Sequence, residues 1–219
     1  MKKALVLGAT GLIGGHVLSL LLEDERYENV TVIGRRTCGI NHKKLTEKLG
    51  DLFKLEDFVS EFQDGDDLFI AIGTTNAKTP DNDIYSKIDH DIPVAAVSLA
   101  NTAGFKNVVV VSSMGANPKS RIFYAALKGR MEEDVLQIPI ENLTIVRPSL
   151  LLGDRNEKRA MEKFSAVLMT TFNFIIPKKH KAILGKDVAK AMIVLANVPF
   201  KKHIWMNNEL QELAKEYSK

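Results

Sequence analysis

Three glycines at three-residue spacing, Gly8, Gly11 and Gly14, occur in the segment GATGLIGG near the amino terminus. The segment follows the apolar run KALVL, and the apolar residues after it recur at helical spacing. A glycine turn between a buried strand and a helix lets the backbone approach a pyrophosphate, and the helix amino terminus offers free N–H groups to the phosphates. Glycine-rich turns also occur for structural reasons alone, but the position after the first strand favours a dinucleotide site.

Strand-like and helix-like segments alternate through the first two thirds of the chain. The strand-like runs are short and apolar or β-branched, and helical stretches lie between most of them. The longest stretch, YSKIDHDIPVAAVSLANTAG, is predicted to be one helix with Pro93 near its first turns or at a kink. The predicted strands are KALVLG, NVTVIG, KLTEKLGDL, DLFIAIG, NVVVVSS and LTIVRPSLLLG. This alternation predicts an α/β fold, a doubly wound parallel sheet of the Rossmann type.

The last third of the chain departs from this alternation. The segments EKRAMEKFSAVLMTTF, GKDVAKAMIVLANV and NELQELAKEY are typical of helices, and HIWM is typical of a short strand. No linker rich in Pro, Gly or Ser precedes them. We therefore predict a single NAD(P)-binding domain over residues 1–219, in which residues 154–219 form a small helical subregion on the substrate side.

Composition and charge argue against several classes of protein. Apolar residues make up 45% and charged residues 26% of the 219, and a net charge of +3 is too small to favour a nucleic-acid partner. No apolar run is long enough to span a bilayer, and MKKALVLG has too few apolar residues for a signal-peptide core. The five histidines show no metal-ligand spacing, so we expect no metal. Cys38 is the only cysteine, which suits a reducing compartment, and we expect a cytoplasmic protein without membrane partners.

Two arginines, Arg35 and Arg36, follow the second predicted strand in the segment VIGRRT. Sites that prefer NAD usually place an acidic residue there to hold the ribose 2′-hydroxyl. Guanidinium groups match a phosphate through two hydrogen bonds and stack on adenine, so the pair favours NADP(H) over NAD(H). A solvated arginine pair is the alternative interpretation. Asp51, after the third predicted strand, is a candidate acceptor for the adenine amino group, although aspartate is also common in turns.

Ser113, Tyr124 and Lys128 form a candidate proton-transfer set. Ser113 ends the fifth predicted strand, where ligands bind in such sheets, and the other two lie four residues apart in the next predicted helix. The lysine ammonium would favour ionisation of the phenol and grip the nicotinamide ribose, while the serine hydroxyl would polarise a carbonyl oxygen. Tyr–Lys pairs at this spacing arise by chance in any lysine-rich chain. The order Ser–Tyr–Lys after a glycine turn is far less accidental.

These segments resemble the short-chain dehydrogenase/reductase superfamily, and within it the compact atypical branch that includes the Tat-interacting oxidoreductases. The resemblance is carried, in order, by GATGLIGG, VTVIGRR, AIGTT, VVVVSSMGA, YAALKG, VRPSLLLGDR and GKDVAKAM. It implies a nicotinamide cofactor, and it is compatible with a homodimer, although the sequence shows no interface. The cofactor contacts that it implies are Gly8, Thr10, Gly11, Leu12, Ile13, Gly14, Arg35, Arg36, Asp51, Leu52, Gly73, Thr74, Lys128 and Pro148.

Two departures from the resemblance bear on function. Many relatives carry an asparagine in the helix after the fourth strand, and the nearest residue here is Asp89, so a full catalytic tetrad is not expected. The region after the sixth strand is also short for nucleotide-sugar epimerases and dehydratases. Its length argues against a bulky sugar-nucleotide substrate.

Three functions are compatible with these residues. The first is an NADP(H)-dependent oxidoreductase acting on a small carbonyl or alcohol, with Tyr124 as proton donor or acceptor. The second is a regulatory or redox-sensing protein that binds NADPH without turnover. The third is an epimerase or dehydratase that retains its nicotinamide and uses the same residues. The side chains that select a substrate are expected in the variable segments 75–90, 115–123 and 154–183.

Overall fold

The computed structural model describes residues 1–153, 181–198 and 200–217. Strands and helices alternate through this part of the chain, as the sequence predicts. The elements are β1 (Lys2–Leu7), α1 (Leu12–Glu23), β2 (Tyr27–Gly34), β3 (Leu45–Leu49), a 3₁₀ helix (Leu55–Phe62), β4 (Asp67–Ile70), α2 (Asn82–Ser86), a π-helical turn (Lys87–Asp91), α3 (Ile92–Ala103), β5 (Asn107–Val111), α4 (Phe123–Leu136), β6 (Asn142–Arg147), β7 (Leu151–Leu152), β8 (Ile183–Leu184), α5 (Gly185–Asn197), β9 (Ile204–Met206) and α6 (Asn207–Glu216).

Seven of these strands form one parallel sheet in the order β3-β2-β1-β4-β5-β6-β9. The chain builds outward from β1 in one direction and then returns to add β4 on its other side. In open sheets of this kind, ligands bind at the carboxyl ends of the two strands where the order reverses, which here are β1 and β4. The predicted doubly wound Rossmann-type sheet is confirmed.

Both faces of the sheet are covered by helices. In β1, Ala4 and Val6 pack on the side of α1, α5 and α6, whereas Leu5 and Leu7 pack on the side of α3, α4 and the 3₁₀ helix. This division follows from the two-residue period of a strand, which sends successive side chains to opposite faces. Because both faces are buried, the central strands β1, β4 and β5 are apolar almost without interruption, and that pattern makes them recognisable in the sequence.

The segment predicted as one long helix is divided into three parts. The N–H of Ile92 bonds to the carbonyl of Lys87 across the π-helical turn, and α3 then begins with Pro93 in its first turn. Proline has no N–H and its ring crowds the carbonyl four residues earlier, so a regular helical ladder cannot pass through it. The wider turn contains Asp89, which is only 1% exposed.

Most other predictions of local structure are confirmed. The segment KLEDFVSEF contains the 3₁₀ helix, and the predicted elements GKDVAKAMIVLANV, HIWM and NELQELAKEY correspond to α5, β9 and α6. Pro148 directly follows the end of β6, but the short pairing of β7 with β8 was not predicted, because two-residue strands carry almost no pattern. The predicted helix EKRAMEKFSAVLMTTF lies outside the described residues, and the assignment of one domain stays a prediction. None of the helices in the described ranges is long and apolar enough to cross a membrane.

The turn between β1 and α1 requires glycine at two positions. Gly8 has a φ of +90°, and a Cβ there would lie 2.4 Å from the carbonyl oxygen of Ala71, just after β4. A Cβ on Gly14 would lie 2.2 Å from the carbonyl oxygen of Gly8. Both contacts are with backbone atoms, which cannot move aside as a flexible side chain can. The absence of side chains therefore brings the start of α1 directly against the ends of β1 and β4.

We expect Gly14→Ala to destabilise the protein by about 2 kcal/mol relative to Gly15→Ala, because it forces a methyl group into filled space. Both substitutions improve the helix propensity of α1 by about 1 kcal/mol, so their difference isolates the clash. A Cβ on Gly15 would lie 3.3 Å from the carbonyl oxygen of Ala9, which a small shift accommodates. Urea unfolding followed by circular dichroism measures both free energies, and equal values would contradict the steric role of Gly14.

Candidate dinucleotide and proton-transfer site

A cleft of about 600 Å³ opens at the carboxyl ends of β1, β2 and β4. Its walls come from the glycine turn, the loop after β2, the segment after β3 and the segment after β4. The fold thus gathers residues that are far apart in the sequence. The predicted cofactor contacts that line this cleft are Gly8, Thr10, Gly11, Arg35, Arg36, Asp51, Leu52, Gly73 and Thr74. A larger cleft of about 680 Å³ lies near the amino ends of β1 and β2 and contains none of the predicted site residues.

The remaining predicted cofactor contacts lie beside this cleft. Leu12 lines a neighbouring cleft of about 590 Å³ on the other side of the glycine turn. Ile13 and Gly14 are buried in the first turn of α1. The carbonyl of Pro148 accepts a hydrogen bond of 2.9 Å from the N–H of Met114, which ties the loop after β6 to the loop after β5. Residues that line the main cleft beyond the predicted cofactor contacts include Phe53 and Ile92. Lys78, Thr79 and Ile88 also line it, and they lie in the segment 75–90, where substrate-selecting side chains are expected.

Arg35 and Arg36 are exposed at the edge of the cleft, and neither pairs with a carboxylate of the described ranges. The loop after them is held by Glu47 of β3, whose carboxylate accepts hydrogen bonds from the N–H of Cys38 at 2.6 Å and the hydroxyl of Thr37 at 2.7 Å. These hydrogen bonds, the one from Cys38 first, lower the pKa of Glu47. An anchored loop with two free guanidinium groups presents positive charge to an anion in the cleft.

Cys38 and Asp51, which lie near the cleft, interact with nearby residues of the protein. Burial, and then the nearby Glu47, raise the pKa of Cys38 to about 11, so the thiol stays protonated at neutral pH. Asp51 accepts a hydrogen bond of 3.0 Å from the N–H of Phe53, which makes it part of a turn. Across the described part of the chain, no three His, Cys, Asp or Glu side chains converge in a way that could hold a metal ion.

Ser113 follows β5, at the carboxyl end of the sheet. Its Oγ atom is buried and has no hydrogen-bond partner among the described residues. A buried polar atom that stays unpaired costs about 1–3 kcal/mol, and such atoms in native proteins call for a functional or solvent partner. Within the described residues, the hydroxyl of Ser113 thus keeps an unused capacity to donate a hydrogen bond.

Glu132 anchors the segment next to Ser113. Its carboxylate accepts hydrogen bonds from the hydroxyl of Ser112 and from Nε of Arg147, the latter at 2.9 and 3.2 Å to the two oxygens. Glu132 is only 3% exposed, so α4 is tied to the ends of β5 and β6 by a buried ion pair. The sequence does not reveal this role, because Glu132 belongs to the acidic run MEED, which is typical of a solvated helix face.

Lys128 and Asp89 form a second buried pair. The Nζ atom of Lys128 lies 3.0 Å from Oδ1 of Asp89, and the two side chains are 3% and 1% exposed. Oδ2 of Asp89 accepts a hydrogen bond of 2.8 Å from the N–H of Thr74 in the wall of the cleft. The predicted catalytic lysine is therefore connected to the predicted cofactor residues through a single carboxylate.

Tyr124 is 39% exposed, at the start of α4. Its ring packs edge-on against Tyr85, with centroids 6.3 Å apart, and the hydroxyl of Tyr85 donates a hydrogen bond of 3.2 Å to the carbonyl of Thr74. Burial, and then the charge of Asp89, raise the pKa of Tyr85, so its hydroxyl stays protonated and serves as a donor to the backbone. Of the two phenols, Tyr124 is the one that an external molecule can reach.

These features fit a nicotinamide dinucleotide. The glycine turn is a cradle that a Cβ would fill, and the amino terminus of α1 faces it. The hydroxyl of Ser113, which has no partner within the described ranges, lies at the same end of the sheet. The fold and the cleft together define a dinucleotide-binding protein of the Rossmann class.

The chain belongs to the NAD(P)H-binding family, whose sequence profile matches residues 8–199. The resemblance to an atypical branch of the short-chain dehydrogenase/reductase superfamily is confirmed. It is 31% identical over 225 residues to "Protein FMP52, mitochondrial" of Meyerozyma guilliermondii, which covers 98% of this chain and 96% of that protein. The protein of the same name from Candida albicans is 32% identical over 199 residues, covering 87% and 86%.

Solved structures with the same fold include several nucleotide-sugar enzymes. MoeE5 in complex with UDP-glucuronic acid and NAD superposes with a TM-score of 0.73 at 19% identity, covering 98% of this chain and 81% of that one. The UDP-N-acetylglucosamine 4-epimerase of Methanobrevibacter ruminantium M1 gives a TM-score of 0.71 at 21% identity, covering 96% and 80%. At such identities the likeness concerns the fold alone.

The expected cytoplasmic location is wrong, because the related yeast proteins are named as mitochondrial. The expectation depended on a single cysteine and on an amino-terminal segment unlike a secretory signal. The single cysteine indicates a reducing environment, and the amino-terminal segment bears only on secretion. Neither feature distinguishes the cytoplasm from another reducing compartment.

We expect Glu132→Gln to destabilise the protein by about 2 kcal/mol, because it removes the buried carboxylate that accepts charge-assisted hydrogen bonds from the partly exposed guanidinium of Arg147. The matched control is Glu133→Gln, the same change at the next position, where the side chain is exposed. Thermal and urea unfolding give both free energies. Similar stabilities for the two variants would show that the buried pair does not hold α4 to the sheet.

Proposed function

We propose that the protein is an NADP(H)-dependent oxidoreductase of the short-chain dehydrogenase/reductase type, which transfers hydride to or from a small carbonyl or alcohol substrate. The main support is the Ser113 hydroxyl, which is buried and unpaired among the described residues at the same end of the sheet as the cleft. A molecule that binds there supplies the missing partner. Membership of the NAD(P)H-binding family supplies the cofactor class.

Each side chain of the proposed set has a distinct task. Ser113 donates a hydrogen bond to the carbonyl oxygen of the substrate. Tyr124 donates its proton to that oxygen as the carbonyl carbon accepts hydride, and takes a proton from the alcohol in the reverse direction. Lys128 places a positive charge in the same helix, four residues from Tyr124, and donates hydrogen bonds to the nicotinamide ribose. The bound nicotinamide supplies or accepts the hydride.

Relatives and charge support two further parts of the proposal. The names of the related yeast proteins support a mitochondrial location for this chain as well. The exposed Arg35–Arg36 pair supports NADP(H) as the cofactor, because two guanidinium groups without carboxylate partners in the described ranges suit a phosphate monoester. A homodimer, and the absence of nucleic-acid and membrane partners, stay predictions.

We expect Tyr124→Phe to lower turnover by at least about a hundredfold, because it removes the proton donor and leaves the ring in place. The dissociation constant for NADPH should change by less than about twofold, since the phenol is not needed to hold the nucleotide. Tyr85→Phe is the matched comparison and should lose far less, because its hydroxyl bonds to the backbone. The measurement is single-turnover oxidation of bound NADPH by a panel of quinones, aldehydes and ketones.

The outcomes of that measurement separate the three functions. Unchanged turnover in Tyr124→Phe would remove Tyr124 from the mechanism. Silence of the unmodified protein across the panel, with NADPH tightly bound, would favour a regulatory protein. A nucleotide that stays bound through purification, with substrate conversion but no net oxidation, would favour an epimerase or dehydratase.

We expect Arg35→Ala and Arg36→Ala each to raise the dissociation constant for NADPH by about tenfold, because each removes a charge-assisted hydrogen bond to the 2′-phosphate. Binding of NADH should be nearly unchanged, since it lacks that phosphate. Arg130→Ala is the matched control, an exposed arginine of α4 outside the cleft. Fluorescence titration measures each constant, and equal affinities of the unmodified protein for NADPH and NADH would refute the assignment.

A further inference from the structure

We propose that Asp89 is a positioning residue of this site, whose carboxylate fixes the ammonium group of Lys128 and joins it to the Thr74 wall of the cleft. The inference rests on the proposed function, in which Lys128 binds the nicotinamide ribose. Asp89 itself does not touch the nucleotide in this scheme and acts through Lys128 and Thr74.

Both carboxylate oxygens of Asp89 are used, in different directions. Oδ1 lies 3.0 Å from Nζ of Lys128 on α4, and Oδ2 accepts a 2.8 Å hydrogen bond from the N–H of Thr74. A Cβ added to Gly73 would lie 3.3 Å from Oδ1, so the carboxylate packs directly against the backbone of the cleft wall. A change in the position of Asp89 would therefore move the lysine and the wall together.

Stability alone is a weak reason for such a pair. The desolvation of two buried charges largely cancels their attraction, and apolar residues of similar volume often stabilise a protein at least as well. What the carboxylate adds is geometry, because lysine has a flexible four-carbon stem and no fixed direction of its own. Asp89 selects one position for the ammonium group before any nucleotide binds.

The π-helical turn is what brings Asp89 to this position. The extra residue in that turn precedes Pro93, and the turn ends where α3 begins. Its neighbours point elsewhere: His90 pairs with Asp91 and Asp134 near the surface. Single π-helical turns occur frequently at functional sites. The buried carboxylate therefore belongs to a type of turn that is often functional.

A double-mutant cycle with NADPH as the probe tests the inference. We expect Asp89→Asn to raise the dissociation constant by about tenfold, because Lys128 and the N–H of Thr74 donate to different oxygens of Asp89 and the amide NH2 of asparagine would face one of these donors. We expect Lys128→Met to weaken binding by a similar factor. The double variant should bind no more weakly than Lys128→Met alone, because Asp89 acts through the lysine.

The nicotinamide fluorescence of bound NADPH is the second readout, because it reports how the nicotinamide end is held and a purely structural role would not change it. Asp89→Asn and Lys128→Met should both move the emission toward that of free NADPH. Asp91→Asn is the matched control, the same substitution in the same turn at a side chain that is 61% exposed. It should leave affinity and emission unchanged.

The following results would overturn the inference. One is a folded Asp89→Asn variant with affinity within about twofold of the unmodified protein and with unchanged emission. Another is a further tenfold loss in the double variant relative to Lys128→Met, which would mean that Asp89 acts independently. If Asp89→Asn alone does not fold, Lys128→Met is compared with the double variant, which contains no unpaired ammonium group. A further tenfold loss of affinity in the double variant would again overturn the inference.

Failure of the proposed function gives a different pattern. The cycle compares variants with one nucleotide, so it can be run with NADH if the unmodified protein prefers it. If the unmodified protein does not prefer NADPH, the cofactor assignment is refuted, but the coupling between Asp89 and Lys128 can still be measured with NADH. Absence of turnover would likewise leave the binding cycle intact.

Discussion

The contact between the glycine turn and the residue after β4 organises the rest of the molecule. Because Gly8 and Gly14 carry no side chain, the backbone of the turn meets the carbonyl of Ala71 and the first turn of α1 at the same place. The side chain of Leu12 then projects away from the turn, and a Cβ on Gly153 or Gly185 would come within 2.3 or 2.8 Å of it. The glycine turn thus forms a wall of the cleft on one side. On its other side, Leu12 packs closely against the backbone at Gly153 and Gly185.

Two charged side chains of helix α4 form ion pairs with two different parts of the fold. Lys128 and Glu132 are four residues apart, a spacing that would allow them to pair along the helix. Instead, Lys128 pairs with Asp89 of the π-helical turn, and Glu132 pairs with Arg147 at the end of β6. Each buried charge is balanced by a different element, so the position of α4 depends on both. Tyr124 lies four residues before Lys128 on the same helix, and Ser113 directly follows Ser112, whose hydroxyl bonds to Glu132.

The sequence predicts those features whose cause is local. The central strands were recognisable because burial of both sheet faces demands apolar residues at most of their positions, and the glycine turn was recognisable because its spacing reflects a steric need within one segment. The π-helical turn was not predicted, although its cause is one residue, because a missing N–H at Pro93 can be accommodated by a kink, a break or a wider turn.

The partners of the buried charges could not be predicted, because they come from distant parts of the chain. Glu132 lies in an acidic run and Asp89 in a charged stretch, and both patterns are typical of a solvated helix face. Glu132 is buried because β6 packs beside it, and Asp89 is buried because the π-helical turn before α3 directs it inward. Roles that arise from long-range packing leave little trace in residue spacing, which is why the sequence predicts the cleft better than the supports around it.

The unpaired hydroxyl of Ser113 bears on the choice between an enzyme and a protein that only binds a nucleotide. Nucleotide binding alone requires the glycine turn, the helix amino terminus and the charged loop, all of which lie along β1, β2 and β4. It does not require a buried hydroxyl after β5, where pairing with a neighbour, as in Ser112, would be the more stable arrangement. Under the proposed function, the substrate supplies the partner that the hydroxyl of Ser113 lacks among the described residues. This asymmetry between Ser112 and Ser113 favours catalysis over binding alone.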